Sequence, residues 1–323
     1  MKKTIAISIL LLFIVNSIPA QTYSVEETIF RNDTLTLFAD IYTPQKPISQ
    51  TGITIIQGSG NSDRSNVWAR SFAEFLAQHG YYVLLPDKRG SGKSGGNWRT
   101  ASFEDLASDV RASAHHLKKT KNLRATGVLG LSQGGFIAPI VASQDNTISF
   151  VIDIAGAAVT LEEQIIHEVS NTAKKAGLQP SDIVQVLDLH VLFRQYAIDR
   201  NWAPLEKKIK ELERSNWSSF LKTFPSKPDL WVWNWVRLNI SFDPMVYWKK
   251  VKQDVLVAYG AKDQDDNMPV FESIYRLQKG FSEAGKKNYT INLYQAGHAL
   301  YEDDKATLRK EFLTDLLAWL KNR

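Results

Sequence analysis

Gly130-Leu131-Ser132-Gln133-Gly134 sets a serine between two glycines, directly after an apolar run that predicts a strand and directly before a segment that predicts a helix. A serine so placed falls on a sharp turn that strains its backbone, and a glycine two positions away on either side lets neighbouring backbones pass without a Cβ clash. The helix that begins there points its first amides at the place where negative charge would develop. The chemistry within reach is nucleophilic attack, which needs a base to take the serine proton and an acid to orient the base. Both residue types follow in chain order. Asp263 comes after the strand-like Val255–Tyr259, in Gly260-Ala261-Lys262-Asp263, and His298 comes after Tyr289–Tyr294, in Gln295-Ala296-Gly297-His298. Parallel strands end at one edge of their sheet, so Ser132, Asp263 and His298 are expected to converge there. The blander reading is a glycine-rich turn with an incidental serine.

Each assignment has competitors. His79 ends a helix, His115 and His116 sit inside one, and His167 and His190 fall in a helical stretch, so only His298 follows a core strand. Asp265 and Asp266 are close enough to Asp263 to supply the carboxylate if the loop is displaced. Gly92-Lys93-Ser94 resembles the tail of a phosphate-binding loop, but the first glycine of that pattern would fall on Asp87. Asp263, Asp265 and Asn267 match the opening ligands of a calcium loop, yet Met268 and Ile274 occupy the positions that require glycine and glutamate. No metal site is expected. Asp87 and Arg89 are expected to brace their loop as an ion pair.

The elements that must position these residues alternate. Val25–Phe30 and Leu35–Tyr42 flank the turn formers Arg31-Asn32-Asp33 and predict a hairpin. Strand-like Gly52–Gln57, Tyr81–Pro86, Thr126–Leu131 and Phe150–Ile154 are interleaved with helical Trp68–Gln78, Phe103–Lys119 and a helix from about Gly134. Short buried runs alternating with amphipathic helices predict an α/β fold with a parallel sheet covered on both faces. The rhythm stops between residues 157 and 250, which read as an inserted helical cap, and returns with Val255–Tyr259, Phe271–Ala284, Tyr289–Tyr294 and a closing helix from about Lys305 to Lys321. The cap holds Trp202, Trp217, Trp231, Trp233, Trp235 and Trp248, which could floor an acyl or aryl pocket or form the cap's own core. Its Glu162, Glu163 and Glu168 read as solvated helix-face residues.

Composition narrows the classes. With 44% hydrophobic and 23% charged residues the chain has globular composition, which excludes a mainly disordered or fibrous protein. The absence of cysteine excludes a disulfide scaffold, a thiol nucleophile and cysteine-ligated metal. The net charge of +5 comes from basic and acidic residues interleaved without a long basic run, so no nucleic-acid partner is expected. Lys2 and Lys3 precede an apolar run, Ile5 to Val15, that ends in Ser17-Ile18-Pro19-Ala20, the pattern of an export signal. Residues 1–20 are therefore expected to be removed, leaving residues 21–156 and 251–323 as a catalytic core around the 157–250 cap. The run is too short to span a bilayer, which takes about 20 residues, so no stable membrane insertion is expected after cleavage. The mature protein is expected in the periplasm or outside the cell.

Gln57-Gly58-Ser59-Gly60, Asp87-Lys88-Arg89-Gly90-Ser91-Gly92, the Ser132 turn, Phe242-Asp243-Pro244, Asp263 and His298 occur in the order and spacing of a known superfamily. The sequence resembles the α/β-hydrolases, and within them the secreted bacterial serine esterases akin to serine aminopeptidase-type hydrolases. Gln57 stands where many relatives carry histidine. The resemblance implies a sheet of about eight strands, and an oxyanion hole formed by the backbone N–H groups of Ser59 and Gln133. It implies a triad of Ser132, His298 and Asp263 without a cofactor, acting on a small-molecule ester. A peptidase or amidase of the same fold, or a non-catalytic binding protein, remain the alternatives. The oligomeric state is left open.

Overall fold

Apolar residues alternate along the central strands, and the alternation decides which face of the sheet each one covers. In the strand Asp254–Gly260, Val255 and Val257 pack on one face while Leu256 and Ala258 pack on the other. In Ile148–Ile154, Val151 faces the first layer, and Phe150, Ile152 and Ile154 face the second. Strands buried on both sides require helices on both sides, which the interleaved segments supply.

The structure is a computed structural model that describes residues 22–179, 182–213, 217, 221, 224–303 and 306–323. The expected export signal lies outside the described residues. The strands are β1 (Tyr23–Asn32), β2 (Leu35–Pro44), β3 (Thr51–Ile56), β4 (Tyr82–Pro86), β5 (Ala125–Leu131), β6 (Ile148–Ile154), β7 (Asp254–Gly260) and β8 (Tyr289–Tyr294). They form an eight-stranded sheet in the order β1-β2-β4-β3-β5-β6-β7-β8. β1 pairs antiparallel with β2, and β2 with β4, while every later pairing is parallel. The chain thus has an α/β architecture, with an opening hairpin at one edge and β8 at the other.

Helices α1 (Val67–Gln78), α2 (Phe103–Thr120) and α3 (Gly134–Gln144) cover the first half of the sheet. Ser102 and Asp105 close a reciprocal capping box at the start of α2, and acidic Glu104 and Asp105 in its first turn complement the helix dipole. Between β6 and β7 the described residues form α4 (Leu161–Lys175), α5 (Ile183–Asp199), α6 (Trp202–Leu212), α7 (Val232–Asn239) and α8 (Met245–Trp248). α9 (Val270–Glu283) and α10 (Lys310–Leu320) complete the fold. α10 begins later than its apolar pattern suggests. Tyr301 and Leu308 form an antiparallel bridge first, and the Lys310 backbone N–H at the helix start is taken by Glu302 Oε1 at 2.9 Å.

Helices α4 to α7 gather around an apolar cluster of their own, which includes Phe193, Tyr196, Trp217 and Trp233. Trp202 and Trp235 pack against that cluster, Trp248 is buried in the core beneath the sheet, and Trp231 is exposed where it stacks edge-on against Trp98. Most of these tryptophans are therefore packing residues. Asn239 ties α7 to the start of α2, accepting the Phe103 N–H at 3.0 Å and donating to the Ala101 carbonyl at 3.3 Å. No helix among the described residues is long and apolar enough to cross a membrane.

Candidate active site

Ser132 follows β5 with φ at +54°, a left-handed conformation that a side-chain-bearing residue rarely adopts. The flanking glycines explain how the turn tolerates it. A Cβ at Gly130 would lie 2.5 Å from the Gly134 carbonyl oxygen, and one at Gly134 would lie 2.3 Å from the Ile56 oxygen, so neither position accepts a larger residue. The turn is fastened to the next strand by the Ser132 N–H, which donates to the Ile154 carbonyl at 2.9 Å. α3 starts immediately afterwards and is apolar and almost wholly buried, so its first turn is fixed in place beneath the serine.

Asp263 lies in a short 3-10 turn after β7, and His298 follows β8. Gly260 lets the two loops meet: a Cβ there would lie 2.2 Å from the Gly297 oxygen, and the Lys262 N–H donates to the Ala296 carbonyl at 3.0 Å. The result is a 2.6 Å hydrogen bond between His298 Nδ1 and Asp263 Oδ2, with the carboxylate fully buried and the imidazole partly open. A donating Nδ1–H leaves Nε2 as the acceptor, the tautomer a general base requires. Asp265 and Asp266 are exposed, and Asp266 pairs with Lys175 at 2.5 Å, so the carboxylate on the histidine is that of Asp263.

The other histidines are engaged elsewhere. His115 pairs with Asp145 at 2.7 Å at the far end of α2, His116 meets Thr28 at 2.7 Å, and His190 faces Glu162 at 3.5 Å inside the cap. His167 and Asn171, four residues apart on one face of α4, contact the Gln264 carbonyl at 2.8 and 3.2 Å, so the cap holds the loop that carries the acid.

Ser59 and Gln133 occupy the two loops beside the serine. A Cβ on Gly58 would sit 3.5 Å from the Ser132 Cβ, which places the 58–60 loop against that serine. Among the described residues, neither the Ser59 nor the Gln133 backbone N–H has an acceptor within the protein. The buried Gln57 side chain donates to the Pro86 carbonyl and accepts from the Ser62 hydroxyl. It therefore serves as an internal strut of this loop.

The sequence motif around Asp87 behaves differently from its expected role. Asp87 and Arg89 do not pair with each other. Asp87 turns toward its own loop, taking Arg64 Nε at 3.0 Å and the Lys93 N–H at 2.9 Å, while Arg89 reaches across to Asp109 at 2.6 Å. Close packing of Gly92 on the Asp87 carboxyl fixes that direction, since a Cβ there would fall 2.5 Å from it. Between them, the Lys88 ammonium points inward, and burial pushes it down to about 7.

Two further residues near the site carry no motif signal. Trp68, at the start of α1, places its ring 5.7 Å from the His298 imidazole, and its Nε1 donates to the Ala299 carbonyl at 3.1 Å. Glu168 on α4 retains solvent access. Its pKa is nevertheless raised, first by the loss of surrounding water and also by Asp266 and Asp263, against an opposing pull from His298. That pull places Glu168 within electrostatic range of the site. Glu162 and Glu163 are committed to Arg194 and Arg276, while Glu168 is exposed on its helix as its solvated reading expects.

Comparison with known proteins fits this geometry. A family model described as serine aminopeptidase, S33, matches residues 52–197. Among solved structures, an esterase from Pyrococcus furiosus is 18% identical with a TM-score of 0.61, over 93% of this chain and 91% of that one. A proline iminopeptidase from Mycobacterium smegmatis is 12% identical with a TM-score of 0.58, over 92% and 98%. Est1E from Butyrivibrio proteoclasticus, solved with ferulic acid bound, is 17% identical with a TM-score of 0.59, over 92% and 100%. At these identities the likeness establishes the shared fold.

Proposed function

We propose that this chain, an α/β-hydrolase by fold, is a serine hydrolase that cleaves carboxylic esters. One observation carries the reading: a left-handed serine on a strand-to-helix turn shares a sheet edge with a buried aspartate bonded to the Nδ1 of a histidine. Ser132 Oγ attacks the acyl carbon while His298 Nε2 takes its proton, and the carbonyl electrons move onto oxygen, which accepts from the Ser59 and Gln133 N–H groups. Collapse of that intermediate breaks the ester bond, and His298 returns the proton to the departing alcohol. Water repeats the sequence on the acyl-enzyme. Asp263 keeps the imidazole in its useful tautomer and stabilises it when charged. The leader-like residues 1–20 support export as part of the same reading; a secreted product beginning at Gln21 would support it, and one retaining Met1 would count against it.

A second reading is a peptidase that recognises a free substrate amine, with Glu168, which feels the His298 charge, as its candidate carboxylate. A substrate panel separates the two. For an esterase with an apolar acyl site, kcat/KM on 4-nitrophenyl esters rises roughly fourfold per added carbon, from about 0.8 kcal/mol per buried CH₂, until the site is full. Aminoacyl anilides are then cleaved far more slowly. Efficient anilide cleavage that is lost on acetylating the substrate amine, and lost again in Glu168→Gln, would replace the esterase reading with an aminopeptidase.

A further inference from the structure

The Lys88 side chain joins the two halves of the proposed oxyanion hole. Its Nζ donates to the Gly58 carbonyl, to the Gly60 carbonyl at 3.1 Å and to the Gln133 side-chain oxygen at 3.4 Å. Three acceptors match the three N–H bonds of an ammonium. Two lie on the loop that carries the Ser59 N–H, and the third belongs to the residue that carries the other donor.

The Gly58 carbonyl and the Ser59 N–H belong to one peptide unit. That unit is planar and trans, so the carbonyl and the N–H point in opposite directions. Fixing the oxygen on Lys88 therefore fixes the N–H on the opposite side. Glycines at 58 and 60 leave the loop otherwise free to rotate this peptide, and Gly60 already has φ at +75°. A flipped peptide would present a carbonyl oxygen where an oxyanion has to bind.

We infer that Lys88 is a positioning residue that locks the Gly58–Ser59 peptide with its N–H toward the reacting carbonyl, and that it ties this donor to the Gln133 arm; the inference rests on the serine-hydrolase reading above. The lysine touches no substrate atom. The ammonium also polarises the peptide at its oxygen end, which strengthens the N–H as a donor. The surroundings hold the device in place. The Lys88 N–H donates to the Ser62 carbonyl at 3.1 Å, and the Ser62 N–H donates to Ser91 Oγ at 3.2 Å, so the 58–62 loop is stapled to the 87–92 loop along its length. Burial lowers the lysine's proton affinity and so works against the charged form, which the three acceptors hold in place.

The role appears in the transition state and leaves ground-state binding nearly untouched. With 4-nitrophenyl butyrate, Lys88→Met should lower kcat by on the order of 10² to 10³, the usual cost of losing one oxyanion donor, while KM stays within about threefold. A trifluoromethyl ketone that adds to the serine should lose affinity by the same factor as kcat/KM, while butyrate, the product, should inhibit as before. The chain has no cysteine, so in Lys88→Cys, 2-bromoethylamine forms its thioether at position 88 alone, with loss of bromide, and restores a lysine-like ammonium. That treatment should recover most of kcat, and capping with iodoacetamide should not. Should Lys88→Met fail to fold, Lys88→Gln, whose amide can still donate, is assayed in its place and should fall between wild type and the Cys variant. Unchanged kcat, a loss confined to KM, or a loss of kcat with undiminished ketone affinity overturns the inference while the serine-hydrolase reading stands. A wild-type protein that neither hydrolyses the ester nor binds the ketone overturns both.

Discussion

Asp263 and His298 are separated by 35 positions in sequence and meet at 2.6 Å, because the adjacent parallel strands β7 and β8 end side by side and Gly260 allows their loops to touch. The carboxylate is fully buried and also accepts the Asn267 N–H at 3.3 Å. It has little freedom to reorient, so its contribution should be to hold one ring tautomer.

Replacing that acid by its amide tests the point. In Asp263→Asn the amide can donate to Nδ1 and stabilise the wrong tautomer, so kcat on a 4-nitrophenyl ester should fall by on the order of 10⁴ with the fold intact. Asp265→Asn and Asp266→Asn should remain near wild type. The reverse pattern would reassign the acid.

Asp153 governs a separate property. Its carboxyl on β6 is fully enclosed between Gly135 and Gly156, and a Cβ on either glycine would approach Asp153 Oδ1 to 2.3 and 2.2 Å. Neither carboxyl oxygen reaches a partner in full hydrogen-bond geometry among the described residues, and burial raises the group to about 7, opposed only weakly by the nearby Gly156 amide. The folded protein therefore keeps this proton to near pH 7, whereas the unfolded chain releases it near the ordinary value of 3.8. The associated stability is fully present below the unfolded value and is lost as pH rises to about 7, an effect on the order of 4 kcal/mol. Asp153→Asn should remove this slope. Urea unfolding at several pH values would show it as a stability difference between variant and wild type that grows in the variant's favour from pH 4 to pH 8; a constant difference would refute it.

Trp68 should act through His298. Its ring lies against the imidazole while its Nε1 holds the Ala299 carbonyl, so Trp68→Ala frees both the side chain and the backbone of the histidine loop. A small displacement of a catalytic group can cost up to about a hundredfold in rate. The expected outcome is a tenfold to hundredfold loss in kcat, roughly, with little change in KM, and partial recovery in Trp68→Phe. Equal kcat in Trp68→Ala and wild type would reduce the contact to packing.

The legible parts of the site were those where covalent spacing dictates structure. A serine between glycines after an apolar strand has few ways to fold, and residues at parallel strand ends share an edge, so the Ser132 turn and the Asp263–His298 pair are expected at one edge of the sheet. What depends on side-chain direction could not be read. Asp87 and Arg89 are two residues apart and of opposite charge, yet Gly92 turns one inward and Asp109 draws the other across to α2. Lys88 lies in the same motif and looks like an ordinary solvated lysine until the loop folds over it. Trp68 and His167 meet the site across the fold, at distances along the chain that no local pattern encodes.

Mass spectrometry after reaction with a fluorophosphonate tests the central claim most directly, since a phosphonylated serine requires a nucleophile, its base and an oxyanion hole acting together. Wild-type protein should gain one phosphonyl group, on the peptide containing Ser132, with loss of fluoride, and Ser132→Ala should gain none. Labelling that persists in Ser132→Ala, or a folded wild-type protein that resists the reagent, would contradict the account.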